Sequence, residues 1–171
     1  MDYLLSCDSI RIVAAADRRD WPRRANHPIE ADIRSAAGTH TPVLISAAKP
    51  RAKAIASQIH SRSRHRGAEM VVVDCSLPAH RYEEQVFETD VTSGGTLVLL
   101  EVAHLPPAMQ IRLRARMTVE ARARGMGATA RLLGTRRIIA TSSGDLYEAV
   151  EQGTFDRDLF YRLNAIHIVP S

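Results

Sequence analysis

Cysteine is nearly absent from this chain. Cys7 and Cys75 are the only two, too few and too far apart to predict a disulfide framework or a zinc site. The seven histidines show no metal-ligand spacing, so no metal is expected. Aromatic residues make up 5% of the chain, which argues against a single-strand nucleic-acid binder built on base stacking. No apolar run approaches the roughly 18 residues of a membrane span. The opening MDYLLSCDS lacks the basic start and long apolar core of a secretory signal. These absences predict a cytoplasmic protein with no membrane contact. Lysine is scarce too: Lys49 and Lys53 are the only two among 23 basic residues. The net charge of +4 and pI near 9.5 permit contact with nucleic acid or an acidic protein without demanding it. Arginine-biased solvated faces are the simpler reading.

What is present suits one globular domain, or one domain with an arm. Hydrophobic residues at 45% and charged residues at 25% in a chain of 171 are ordinary values, and the length allows a substantial core. The organising stretch is Gly94–Pro107, GGTLVLLEVAHLPP. Two glycines lead into an apolar run closed by Glu101, with a Pro-Pro pair soon after. Such a run between turn residues reads as a strand buried on both faces, as inside a parallel sheet. A carboxylate at its end lies where open α/β sheets keep their ligands, so Glu101 is the first functional candidate. A solvated strand-end acid is the plain alternative.

Residues 1–27 form a poorly patterned arm. Ile10–Ala16 reads as a short strand or helix, and Trp21 as an anchor tucking the arm onto the domain. Ile29–Ala37 reads as a short helix ended by Gly38. From Thr41 the pattern is regular. It predicts a strand at Val43–Ser46 and a helix at Pro50–Ser61 with Ala52, Ile55, Ala56 and Ile59 on one face. A buried strand follows at Met70–Asp74, then helical character over Leu77–Phe87 and the central strand. A long helix is expected at Pro107–Arg124, facing the core through Met109, Leu113, Met117 and Ala121. A turn region, GMGATARLLGT, comes next. The last elements are a strand at Arg137–Thr141, helices at Leu146–Gln152 and Asp156–Leu163, and a strand at Ala165–Val169. This alternation predicts a three-layer α/β/α sandwich with a mainly parallel sheet.

With that pattern laid out, the chain resembles a known family. EQGTFDRDLFYRLNAIHIVP (Glu151–Pro170) is similar to the arginine-finger segment in the AAA+ domain of bacterial sigma-54-dependent transcriptional activators. RRIIATSSGDL (Arg136–Leu146) resembles its sensor I strand, and GGTLVLLEVAHLPPAMQIRL (Gly94–Leu113) its Walker B strand and following helix. DCSLPAHRYEEQVF (Asp74–Phe87) is similar to the second-strand region, and TPVLIS (Thr41–Ser46) sits before the expected Walker A loop. The resemblance runs collinearly over residues 41–170. It implies a P-loop NTPase fold of AAA+ type, with residues 1–40 an N-terminal arm bearing a short helix and 41–171 a degenerate AAA+-like domain.

The departures fall on the chemistry. A Walker A loop needs glycines whose amides wrap phosphate, plus a Lys and a Ser/Thr. Here the stretch reads Ser46-Ala47-Ala48-Lys49-Pro50-Arg51-Ala52-Lys53, without glycine, and Pro50 removes a donor. Lys53 takes the phosphate-binding lysine's place if the loop aligns without a gap. The family's Asp-Glu at the end of Walker B is Leu100-Glu101 here, and leucine cannot hold Mg²⁺. Ser142 and Ser143 replace the family's sensor I Thr-Asn pair. The first arginine finger is replaced by Asp156, the second is kept as Arg162, and Arg157 is a displaced neighbour.

Phe87 is followed by only ETDVTS before Gly94, which leaves no room for the GAFTGA loop that contacts sigma-54. The sequence as given stops after the final strand, before the family's helical lid and DNA-binding domain. The resemblance therefore implies a catalytically inactive domain acting by protein–protein contact in transcription regulation, on another AAA+ or regulator subunit. Glu101 would be vestigial, as would the cofactor-binding trio Lys53, Ser142 and Ser143. The partner interface would hold Asp156, Arg157 and Arg162. No cofactor is expected, with ATP and Mg²⁺ entering only if the site is less degenerate than it reads. Direct sigma-54 remodelling is not expected. The alternatives are residual ATP binding with little or no hydrolysis, and a basic nucleic-acid-binding module using Arg51, Arg62, Arg64 and Arg66, or arginines of 112–124.

Overall fold

A computed structural model describes residues 29–87, 94–125 and 136–170, and within these the side chains of 29–87, 94–119 and 136–170. The expectations for the 1–27 arm, Trp21, the ETDVTS stretch, the turn after Gly125 and the side chains of Ala121, Arg122 and Arg124 lie outside them.

The central strand is β3 (Thr96–Leu100), buried at all five positions. On one side it pairs in parallel with β2 (Met70–Asp74), from Met70↔Thr96 to Asp74↔Leu100. On the other lies β4 (Arg137–Ser142), from Thr96↔Arg137 to Leu99↔Ala140. Then come β1 (Val43–Ser46) and β5 (Ile166–Ile168), giving the order β2-β3-β4-β1-β5. Every pairing is parallel, so each connection must cross over a face, and the helices supply those crossovers.

Alternation along the strands divides the core in two. Val43, Ile45, Val98, Leu100, Ile139 and Ile168 face α1 (Ile29–Ala37) and α2 (Lys49–Arg62). Leu44, Val73, Leu97, Leu99, Ile138 and Ala140 face the opposite layer. That layer holds α3 (Glu83–Phe87), α4 (Pro107–Gly125), α5 (Leu146–Glu151) and α6 (Arg157–Leu163). Ala52, Ile55, Ala56 and Ile59 are all buried, as their spacing predicts, and so are Met109, Leu113 and Met117.

Three details differ from the sequence reading. The helical character expected over Leu77–Phe87 is present but divided, into a 3-10 turn at Ala79–Arg81 and α3. Pro78 opens the turn and Tyr82, with φ −134°, separates the two. The helix after β1 starts at Lys49, with Pro50 in its first turn, where a missing amide costs nothing. The helix assigned to the arm is built into the core: Ile33 is 2% exposed and Ala36 0%. The buried Arg137 Nη2 donates to the Ala36 carbonyl, fastening the end of α1 to the start of β4.

Candidate functional site at the strand ends

At the C-terminal end of β3, Glu101 turns the chain with φ 54° and ψ 50°. Among the described residues it is the only non-glycine with positive φ, a conformation that costs a side-chain-bearing residue about 1 kcal/mol. Contacts hold it there. Its amide donates to Thr141 Oγ1 at 3.2 Å, and its Oε2 accepts from the Ser143 amide at 3.2 Å and hydroxyl at 2.8 Å. Oε1 is buried without a hydrogen-bond partner. Glu101 is thus a buried residue, and not the solvated strand-end acid of the plain reading. Of the expected trio, Ser143 joins Glu101. Ser142 gives its hydroxyl to the Gly144 carbonyl at 2.9 Å, and Lys53 lines a separate cleft beside α2.

That cleft has a volume of about 470 Å³ and is lined by Lys49, Pro50, Lys53, Val72, Asp74 and Leu100. Only Ala47 and Ala48 connect β1 to α2. The Ala47 amide donates to the Ser142 carbonyl at 3.1 Å, so it is not turned toward a ligand. Lys49 is engaged as well, with Nζ 3.0 Å from Asp74 Oδ2 and 3.1 Å from Ser76 Oγ. Ser76 in turn donates its amide and hydroxyl to Asp74 Oδ1, at 3.0 and 2.6 Å. Burial pushes the Asp74 carboxyl upward, but the hydrogen bonds from Ser76 and Lys49 and the lysine's charge outweigh it and hold the pKa below the ordinary value. Asp74 escaped the sequence reading although it carries the same signal as Glu101, an acid closing an apolar run. Its register partner is Leu100, so a carboxylate stands one strand over from the position where the family keeps its aspartate.

Two neighbours are chemically quiet at neutral pH. Burial, with the Asp74 and Glu101 charges, pushes the Cys75 thiol up to about 12, which removes its thiolate. His167 Nε2 lies 2.8 Å from Ser46 Oγ. Burial lowers its pKa to about 4 against an opposing pull from Asp145, leaving the ring neutral.

The α6 residues separate. Asp156 caps the helix, accepting from the Leu159 amide at 2.7 Å. Its Oδ2 also pairs with Arg114 Nη1 at 3.0 Å, and its amide donates to Gln110 Oε1 at 2.7 Å. Arg157 is exposed, Arg162 is half-buried and Tyr161 is 45% exposed. Asp156 is therefore turned toward α4, whereas Arg157, Asp158 and Tyr161 face outward with Arg162 half-buried beside them.

A parallel sheet in the order β2-β3-β4-β1-β5, with its polar residues gathered where β1, β3 and β4 end, is the architecture of a P-loop NTPase. The sigma-54 interaction domain matches residues 79–169, more than half of the chain, and the chain belongs to that family. It is 33% identical over 132 residues to the regulatory protein AtoC of Escherichia coli. The match covers 67% of this chain but 28% of AtoC, so the chain spans less than a third of that relative's length. Among solved structures it resembles NtrX from Brucella abortus in complex with ATP, at TM-score 0.68 and 24% identity, over 82% of this chain and 35% of NtrX. It also resembles the P-loop NTPase domain of a sigma-54 activator from E. coli, at TM-score 0.60 and 19% identity, over 84% of this chain and all of that one. These likenesses carry the fold.

Among the described residues no helix is long and apolar enough to cross a membrane.

Proposed function

We propose that this chain is a sigma-54-activator-type AAA+ domain that does not turn over ATP and serves transcription regulation through protein–protein contact. The observation that carries this reading is the two-residue connection between β1 and α2. A phosphate cradle needs several consecutive amides pointing at one anion. Ala47 and Ala48 are too few, and the first is already bonded to Ser142. Leu100 and Val72 in the adjoining cleft cannot ligate Mg²⁺, and the one carboxylate lining it, Asp74, is already bonded to Lys49 and Ser76. The residues present therefore do not fit Mg·ATP in the family's manner, and no hydrolytic step is assigned to them.

The regulatory half of the reading rests on relatives named as regulators, AtoC among them. The contact surface we favour is the outward side of α6, Arg157, Tyr161 and Arg162, and its partner is another AAA+ or transcription-regulator subunit. Direct remodelling of sigma-54 is not part of the proposal, because only six residues separate Phe87 from Gly94. A nucleic-acid role ranks lower, since Arg62, Arg112, Arg114 and Arg136 are each paired with a carboxylate. The test is a phosphate-release assay with Mg·ATP on wild type and Glu101→Gln. Equal background rates are expected. Turnover in wild type that falls in Glu101→Gln would defeat the reading.

One observation favours a second reading, residual nucleotide binding: Lys49 and Lys53 both line the cleft. NtrX, a structural neighbour, has been seen with ATP. Binding of this kind would raise thermal stability with the logarithm of ligand concentration above Kd, and Lys53→Gln would abolish the effect.

A further inference from the structure

On one side the sheet ends in an open edge. β2 stands last in the strand order and pairs with β3 alone. The Glu69 carbonyl accepts from the Thr96 amide at 3.0 Å, and the Cys75 amide donates to the Leu100 carbonyl at 2.9 Å. Backbone groups alternate in direction along a parallel strand, so Glu69, Val71, Val73 and Cys75 turn toward β3. Met70, Val72 and Asp74 turn away from it. The Asp74 carbonyl accepts from the Leu77 amide at 3.3 Å. Among the described residues no strand lies beyond β2, so the amides of these three and the carbonyls of Met70 and Val72 are open to a further strand.

This edge lacks the features that usually blunt one. A free edge is a template for another chain, and proteins guard it with shortness, lysine, proline or a bulge. β5, at the other end of the strand order, is three residues long and is followed closely by Pro170. β2 is five residues, MVVVD, uncharged until its last position and in unbroken register with β3. Met70, Val71 and Val72 are each half-buried, which leaves apolar surface beside the open backbone groups.

The surroundings select the guest. Met70 and Val72 point to the α2 face, and Val72 and Asp74 line the cleft of about 470 Å³ with Lys49, Pro50, Lys53 and Leu100. Lys49 is bonded to Asp74. Lys53 follows it by one helical turn, about 6 Å, which is close to the rise of two strand residues. As α2 returns antiparallel to the strands, Lys53 stands level with Val72, and it is exposed. Facing side chains on paired strands are about 5 Å apart. An acidic side chain set beside Val72 by an added strand therefore meets the Lys53 ammonium at the cleft.

We propose that the β2 edge binds an extended segment of a partner protein as a further strand, with an acidic side chain beside Val72 paired to Lys53 and an apolar one beside Met70. Main-chain hydrogen bonds supply the hold and the cleft supplies the selectivity, as in strand addition generally. The surface is separate from α6, and the proposal does not depend on whether the chain turns over ATP.

The test is a titration of the whole chain with the blocked peptide acetyl-Thr-Val-Thr-Glu-Thr-Val-Thr-amide, whose side chains read the same in both directions. Binding is followed by backbone ¹H–¹⁵N resonances and amide hydrogen exchange. We expect saturable binding that protects the amides of Met70, Val72 and Asp74, which a guest held in the cleft by charge alone would leave exchanging. Methylating one alternate set of the peptide's amides should abolish binding, and methylating the other should not. Lysine in place of its glutamate, or Lys53→Gln in the protein, should weaken affinity several-fold. No protection of the three amides at millimolar peptide would overturn the proposal, and so would equal affinity for the lysine peptide. Protection of the same amides in the free chain would overturn it too. If that protection rises with protein concentration, the edge belongs to a second copy; if it does not, the chain covers its own edge.

Discussion

Ser143 donates both its amide and its hydroxyl to one carboxylate oxygen of Glu101, at 3.2 and 2.8 Å. The pair joins the end of β3 to the loop leaving β4. It also holds Glu101 in a left-handed conformation that an isolated glutamate would leave. Ser143→Ala removes the shorter bond and should destabilise the fold by about 1–2 kcal/mol, the usual cost of losing a bond to a charged group. Glu101→Gln keeps an acceptor for Ser143 and removes a buried charge, so it should be no less stable than wild type. Urea denaturation of the two variants decides the matter, and a Ser143→Ala midpoint equal to wild type would show that the bond contributes nothing.

Asp156 offers a similar separation. Asp156→Ala loses the cap on α6 and should cost about 1–2 kcal/mol. Asp156→Asn retains a capping oxygen and loses only the partly exposed pair with Arg114, worth about 1 kcal/mol or less. Thermal melts should therefore rank wild type and Asn close together with Ala well below. For the same reason Asp156 is a poor probe of partner contact, which Arg157→Ala and Arg162→Ala test without disturbing the cap.

The strand ends were largely legible in the sequence. An unbroken apolar run between glycines and an acid can be little other than a strand buried on both faces, and Thr96–Leu100 is one. Position alone singled out Glu101. Lys49–Asp74, Ser46–His167 and Arg137–Ala36 could not be read, since each depends on how distant segments dock. The Asp156 cap was readable in principle, because an Asp directly before a helical apolar pattern is a starting signal. Comparison with the arginine finger drew attention to its charge instead.

The histidines set a pH dependence. Burial lowers the His167 pKa to about 4, against the ordinary 6.5 of an exposed imidazole. Between those values the unfolded chain binds more protons, so stability is complete above pH 6.5 and falls as pH drops toward 4. The loss from this group approaches about 3 kcal/mol. His60 and His65 are lowered too and act in the same direction. Unfolding midpoints measured from pH 7 to 4 should decline in wild type and decline less in His167→Gln. Parallel profiles would remove His167 from the explanation.

Gly95 and Gly94 should differ sharply. Both have positive φ, but a Cβ on Gly95 would lie 2.4 Å from the Glu69 carbonyl oxygen, whereas on Gly94 it meets nothing within 4 Å. Gly94→Ala should cost about 1 kcal/mol from backbone conformation alone. Gly95→Ala must also displace the β2 end of the sheet and should cost at least twice as much, as chemical denaturation would show.

The most direct measurement is a calorimetric titration of the purified chain with ATP and ADP, with and without Mg²⁺. If the catalytic centre is lost, no Mg²⁺-dependent binding appears at millimolar nucleotide. Tight binding that requires Mg²⁺ would contradict this, and would mean that another acid, Asp74 first among them, has taken over the metal-holding role of the missing aspartate.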